Sequence, residues 1–321
     1  CNTDPGWGVN PDALYDCGNP AGAYLKIGVW EGFEAKWPNA FRVVQNINFQ
    51  NSDLAEMALY VDLDGMEPED AADAWLADHC DRWTGWSGAD TSACPAAPEV
   101  AADSSDPIRM PIHNWSSQIA GVYIMGAILE SAGNNVEYIP SDSTLVYTSM
   151  CEGDMDLVHE VWESSFGPAF EEMVAKGCVV DAVTHDTKTR EEWWYPIHVE
   201  DHCPGLPDWE ALNACAAMFA TADSGGKGSY LAGPVDWMKA DQERVDGLNL
   251  DFVVNNAGTA GALWAALDVS IANNEPIVMF NWTPNFTEVL YEGKFVEFPE
   301  FHPDCNTDPG WGVNPDALYD C

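Results

Sequence analysis

From residue 108 to residue 186 the apolar positions alternate between two periods. Short runs of branched and aromatic residues give way to stretches with apolar positions three or four apart, then return. "IRMPIHNW" (108–115) reads as a strand, and "SSQIAGVYIMGAILESAG" (116–133) as a helix with Ser at its start and Gly133 at its stop. There follow a strand "NVEYIP" (135–140), a helix around "TLVYTSMCEG" (144–153), a strand "MDLVHEVW" (155–162), a helix "FGPAFEEMVAKG" (166–177) and a strand "CVVDAVTHD" (178–186). After "REEWWYPIHVE" (190–200) the rhythm restarts. "DWEALNACAAMFAT", "PVDWMKADQERVDGL" and "TAGALWAALDVSIANN" read as helices, and "SYLAG", "DFVVNNAG" and "PIVMFNW" as strands. Strand–helix alternation predicts α/β architecture with mostly parallel sheets. The expected layout is two lobes with crossing segments near 193–200 and 282–300. Residues 1–195 plus 286–321 form the first lobe, and 196–285 the second. Residues 298–321, or equivalently 1–80, are expected to supply a long helical return.

The periods fail between 81 and 107. "DRWTGWSGADTSACPAAPEVAADSSDP" is rich in Ala, Pro, Ser and Asp and reads as a linker. The segment before it, "EPEDAADAWLADH" (67–79), reads as a helix with Pro68 near its start and acids in its first turn. The segment after it reads as a natural beginning, so the natural ends are placed near Gly88–Ala89. This explains a second oddity. "CNTDPGWGVNPDALYDC" occupies residues 1–17 and again 305–321. Ancient repeats drift, so the identical copies point to a circular permutant opened within this segment, through engineering or through the way the residues are numbered. One copy fills the native slot. The other hangs free or pairs with a neighbouring molecule, so a monomer is expected, with domain swapping through the repeated ends as the route to an oligomer.

Composition narrows the function. With 12 Lys+Arg against 53 Asp+Glu, the net charge is −41. Such a surface repels phosphate, which disfavours nucleic acid and anionic membranes, and suits a salty medium. A chain that is 46% hydrophobic with 15 Trp is not a disordered acidic tail. The longest apolar patch, Ile119 to Leu129, is too short to span a bilayer, and no basic-then-apolar leader precedes the first strand. The ten Cys fall into local spacings that suggest Cys1–Cys17 with its copy Cys305–Cys321, Cys151–Cys178, Cys203–Cys215 and Cys80–Cys94. Paired cysteines of this number indicate an exported protein.

Catalytic motifs fail on inspection. "HEVWE" (159–163) lacks the second His of a zinc helix. "GGKGSYLAG" places Leu231 where a dinucleotide loop needs its third Gly. Neither CxxC nor GxSxG occurs. Tryptophans, in contrast, are placed suggestively. Trp115, Trp162 and Trp282 all end predicted strands, where ligands of open α/β sheets bind. Indole faces attract methylated ammonium groups, although core tryptophans would occupy similar positions.

At these residues the sequence resembles a family. "IHNWSSQIAG", "GDMDLVHEVWES", "REEWWYPIHV" and "EPIVMFNWTPNF" are similar to segments of substrate-binding proteins of ABC importers for glycine betaine and related methylated amines, over nearly all of 18–80 and 108–304. The resemblance implies a two-lobe periplasmic-binding-protein fold (type II-like) closing on a ligand in the cleft, a periplasmic location, an ABC permease as partner, and no cofactor. It implies a tryptophan cage from Trp115, Trp162 and Trp282, with Trp194 as a fourth wall. Family members that bind betaine hold its carboxylate on backbone N–H groups of a Gly-rich turn. Here that turn is "LAGPVDW" (231–237), where Pro234 has no N–H and Asp236 would repel a carboxylate. Trimethylamine N-oxide is therefore favoured, ahead of glycine betaine or choline, with Glu160 as an acidic partner for a cationic head, a hydroxyl or a protonated N-oxide. An enzyme acting on methylated amines is the rival class, and a binder turned into a scaffold or sensor another. The repeated segment and the residue before it also carry oxygen donors, Asp304, Asn306, Asp308, Asn314 and Asp316, which could hold Ca²⁺ or simply form turns.

Overall fold

A computed structural model describes residues 23–88, 102–237, 239–299, 307, 312–314 and 316–320. The chain divides into two compact units. The first comprises Tyr24–Lys188 with Pro284–Phe286, and the second comprises Thr189–Thr283 with the described part of 287–321.

In the first unit, β1 (Tyr24–Trp30) leads into α1 (Phe33–Lys36), α2 (Pro38–Val44), α3 (Asn51–Asp62), α4 (Pro68–Asp78) and α5 (Cys80–Ser87). Then come β2 (Ile108–Ile112), α6 (Ser116–Ser131), β3 (Val136–Pro140), α7 (Val146–Glu152), β4 (Leu157–Trp162), α8 (Glu163–Lys176) and β5 (Val179–Lys188). The expected alternation from 108 onward is thus present. The strand directions differ from expectation. β2 and β3 are parallel, but β1 lies between β4 and β5 and is antiparallel to both. The Asp156 N–H donates to the Arg109 carbonyl (3.0 Å), and the Asp156 carboxylate grips the Arg109 guanidinium, so β2 is tied to the start of β4.

β1 falls in a region expected to be a helical return. Its "YLKIGVW" sequence is buried at Leu25, Ile27 and Val29, the period of a strand. Gly28 allows a close approach, since a Cβ there would lie 2.7 Å from the Phe170 ring on α8. The expected linker also begins later than 81. Cys80–Ser87 is helical, buries Trp83, and stops at Gly88 in the left-handed conformation. Asp103, within that linker, accepts from the N–H groups of Asn39 and Ala40 at the start of α2 (2.9 and 3.0 Å). Pro68 stands in the first turn of α4 with Glu69 and Asp70 beside it, the expected arrangement. α6 is apolar and buried on nearly every face because α3, α4 and β4 all pack on it. No helix among the described residues is long and apolar enough to cross a membrane.

In the second unit, β6 (Arg190–Pro196) precedes α9 (Trp209–Ala214), β7 (Gly228–Ala232), a 3-10 turn at Val235–Trp237, α10 (Asp241–Gly247), β8 (Phe252–Asn256), α11 (Ala260–Asn273), β9 (Val278–Thr283), α12 (Thr287–Leu290) and β10 (Gly293–Phe295). The sheet order is β10-β6-β9-β7-β8. β7 is parallel to β8 and β9, whereas β6 runs antiparallel to β9 and β10. That pairing explains why the unit boundaries differ from the expected lobes. β10 hydrogen-bonds along Trp194–Pro196 of β6, which carries 287–295 into the second unit. Residues 189–195 join it because β6 is the strand that β9 and β10 both pair with.

Cys151–Cys178 and Cys203–Cys215 are bonded as the spacing suggested. Cys80 is disulfide-bonded, and its expected partner Cys94 lies outside the described residues, as do Cys1, Cys17, Cys305 and Cys321. Of the repeated segment, the second copy is described in part. The Asn314 side-chain N–H donates to the Gly247 carbonyl at the end of α10 (3.0 Å), and a Cβ at Gly247 would lie 2.5 Å from the Leu318 carbonyl oxygen. This copy docks on α10. The first copy, and the Ala89 side of the expected join, lie outside the described residues.

Candidate functional site

In the first unit the expected site residues Trp115, Glu160 and Trp162 gather where strands end and helices begin. Trp115 is the N-cap of α6, three residues beyond β2, and Trp162 ends β4 and is the N-cap of α8. Glu160 points from β4, only 2% exposed. Its Oε2 accepts from the Trp115 indole Nε1–H (2.8 Å) and its Oε1 from the Ser117 hydroxyl (2.9 Å). A buried carboxylate without such donors would be costly. Here both oxygens are engaged, and the charge strengthens the bond that fixes the indole. The Trp115 ring lies near-parallel to His113 (centroids 5.2 Å, 21°) and Phe166 (6.0 Å, 17°). The His113 backbone N–H donates to the Gln118 side chain (2.8 Å), which locks the loop carrying Trp115. Glu160 is thus hydrogen-bonded to Trp115, itself one of the expected cage residues.

His159, one residue before Glu160, points to the other face of β4. Both ring nitrogens lack a hydrogen-bond partner, and a Cβ at Gly121 of α6 would lie 2.7 Å from Nε2. Burial, aided by the nearby His113 and His185, pushes its pKa down to about 3. His185 is pushed down to about 4, also chiefly by burial, while its Nδ1 accepts from the Phe49 N–H (3.0 Å). Both imidazoles are neutral core groups at neutral pH.

In the second unit Trp282 sits at the end of β9 inside a set of aromatic rings. Trp237 meets it edge-on (5.2 Å, 89°), Trp264 of α11 is tilted against it (5.0 Å, 47°), and Phe280 lies two residues earlier on the same face (5.7 Å). Trp194 of β6, on the adjacent strand, lines with Trp282, Asn281, Thr283 and Glu288 a cavity of about 10 Å³. That is room for one water, too small for an organic ligand. Gly293 allows the Trp194 indole to lie flat on β10, since a Cβ there would meet it at 1.8 Å. Asp236 is half-buried in the turn after β7. Within this turn the Pro234 carbonyl accepts from the Trp237 N–H (3.0 Å), and the Gly233 carbonyl accepts from Asn256 (2.8 Å). Gly233 leaves room for Trp237, whose ring would lie 2.6 Å from a Cβ there.

Sequence reasoning missed Trp237 and Trp264, and with them Ser117, His113 and Phe166. Trp237 stood inside the quoted turn, and its closeness to a Gly-Pro step was the available signal. The contacts of Trp264 depend on helix orientation, which one sequence leaves open. Of the candidate oxygen donors at 304–316, Asn314 uses its side chain on Gly247 and on the Asp316 N–H (3.1 Å), as a turn former does. Asp304, Asn306 and Asp308 lie outside the described residues. Among the described residues, Asp53, Glu56 and His79 come close enough to share a metal ion. Asp53, however, is held by both terminal nitrogens of Arg82, and Glu56 is bonded to His79 (2.8 Å). That arrangement is an ion-pair network.

Comparison with known proteins bears on both units. The family model for the substrate-binding domain of ABC-type glycine betaine transport systems matches residues 10–78 and 106–321. The unmatched stretch between them falls on the expected linker. A trimethylamine N-oxide-binding protein from Pelagibacter ubique (strain HTCC1062) is 46% identical over 217 residues, covering 65% of this chain and 69% of the relative. A glycine betaine/carnitine transport binding protein from Listeria monocytogenes is 27% identical over 105 residues, 33% of this chain and 31% of the relative. Among solved structures, an ABC-transporter choline binding protein in an unliganded semi-closed conformation matches with a TM-score of 0.51 at 15% identity, covering 62% of this chain and 66% of that one. This last likeness speaks to the fold alone.

Proposed function

We propose a ligand and a mode of capture for this chain, which belongs to the substrate-binding domains of ABC-type glycine betaine transport systems. The family is one of extracytoplasmic binding proteins that serve a permease, so the rival reading of an enzyme on methylated amines drops out. The ligand is a small methylated amine, and the proposed one is trimethylamine N-oxide, captured in the periplasm and delivered to the permease. Trp115 and Trp162 in the first unit and Trp282 and Trp194 in the second are the proposed contacts for its methylated nitrogen, which indole faces attract.

The observation that carries this reading is the Glu160–Trp115 bond. A buried carboxylate bonded to an indole N–H (2.8 Å) fixes the ring in place. Support for the N-oxide over betaine comes from the turn at 231–237. Pro234 has no N–H to offer a carboxylate, and Asp236 adds a negative charge one residue before Trp237. The 46% identity to a trimethylamine N-oxide-binding protein agrees. No cofactor is part of the proposal. In solution the chain is proposed to be a monomer. The second repeated segment docks on Gly247 of its own chain, and domain swapping through the repeated ends is the proposed route to an oligomer.

Calorimetric titration with trimethylamine N-oxide, glycine betaine and choline tests the assignment. The expected order places trimethylamine N-oxide first, and a preference for betaine would refute the reading of Pro234 and Asp236.

A further inference from the structure

A charged pair adjoins the aromatic set of the second unit. Glu191 on β6 is directly across from Trp282 on β9 in the strand register. Its Oε1 binds the Lys239 ammonium, which also stands 4.9 Å from the centroid of the Phe280 ring. The Phe280 ring is in turn 5.7 Å from that of Trp282. The Glu191 side chain is 8% exposed and that of Lys239 16%. Charges so far withdrawn from water are weakly screened and act over several ångströms.

We propose that the Glu191–Lys239 pair sets the charge preference at Trp282, an inference that rests on the ligand reading above. Glu191 alone would place a full negative charge beside the indole and favour any methylated cation. Lys239 cancels that charge. The pair then gives a net cation no advantage over a methylated ammonium that carries its own anionic oxygen. The pair acts through the field at Trp282 and is a specificity determinant without touching the ligand.

Removing each partner changes that field in opposite directions. Lys239→Gln removes the positive charge beside Glu191, and Glu191→Gln removes the negative charge beside Lys239. The readout is the ratio of the choline to the trimethylamine N-oxide dissociation constant, by calorimetry, for wild type, both single variants and the double variant. Loss of folding stability alone would weaken both ligands together and leave the ratio unmoved. For one elementary charge in a partly buried setting the expected change is about five- to tenfold in favour of choline for Lys239→Gln, and about the same against it for Glu191→Gln. The double variant is expected to return near the wild-type ratio, and it folds without a buried unpaired charge. A ratio unchanged within about twofold in both single variants, or moved the same way by both, would overturn the inference while leaving the ligand reading intact. Silence of the wild type toward every methylated amine would instead overturn the ligand reading itself.

Discussion

Replacing Glu160 separates a residue that holds Trp115 from one that holds the ligand. In Glu160→Gln the side-chain amide keeps the shape of the carboxylate. Its oxygen can stay on the Trp115 indole N–H, and its nitrogen can donate to the Ser117 hydroxyl, which then turns to accept. The loss is the charge assistance to the indole bond, about 1 kcal/mol. Glu160→Ala is harsher. It leaves the Trp115 N–H and the Ser117 hydroxyl, both buried, without their acceptor. At about 1–3 kcal/mol for a buried donor left unsatisfied, plus the emptied volume, the cost is about 3–4 kcal/mol. If Glu160 acts through Trp115, Glu160→Gln weakens trimethylamine N-oxide binding about fivefold and lowers unfolding stability in parallel, since the same bond carries both. Urea unfolding and calorimetric titration on the same samples measure the two quantities. A fall of about a hundredfold or more in affinity for Glu160→Gln, with stability unchanged, would refute the positioning role and show that the carboxylate meets the ligand directly. Wild-type affinity in Glu160→Ala would refute any role in binding.

Other expectations concern pH, cross-links and packing. His159 and His185 stay neutral in the folded protein, with pKa values pushed down to about 3 and 4, whereas in the unfolded chain they take up protons below about 6.5. Stability is therefore whole above about pH 6.5 and is lost as pH falls from there toward 4, by up to about 2 kcal/mol for each at pH 5; melting curves of wild type and His159→Leu at pH 7 and 5 should show a smaller pH effect in the variant. Opening Cys151–Cys178, which closes a loop with sequence separation 27, by double substitution to Ser is expected to cost about 3 kcal/mol in denaturant titration. Gly121→Val should destabilise by several kcal/mol, because the new side chain meets the His159 ring.

Much of the fold was legible because burial leaves a period in the sequence. The alternation from Ile108 to Asp186 was read correctly, and so were the spacings behind Cys151–Cys178 and Cys203–Cys215. β1 was not. Its Lys26 and Gly28 interrupt the apolar run, and its central place in a sheet depends on two partners more than a hundred residues away. Strand direction was misread for the same reason, since alternation along the chain does not reveal that β1 enters antiparallel between β4 and β5. The stretch 81–87 reads as linker because its tryptophans alternate with small polar residues, yet Trp83 is buried and its indole N–H donates to the Leu76 carbonyl (2.9 Å). At the candidate site the tryptophans stood out because indoles at strand ends are conspicuous. Their support did not: Ser117, Trp237 and Trp264 reach Glu160 and Trp282 through tertiary contacts. The acidic character of Glu160 was visible, but the use of both its oxygens was not.

The central claim is that tryptophans at strand ends capture a methylated amine. Titration of the wild type and Trp162→Ala with trimethylamine N-oxide tests it most directly. The account predicts micromolar binding by the wild type and none detectable by the variant, with both proteins melting cooperatively. Equal affinity in the two proteins would contradict it.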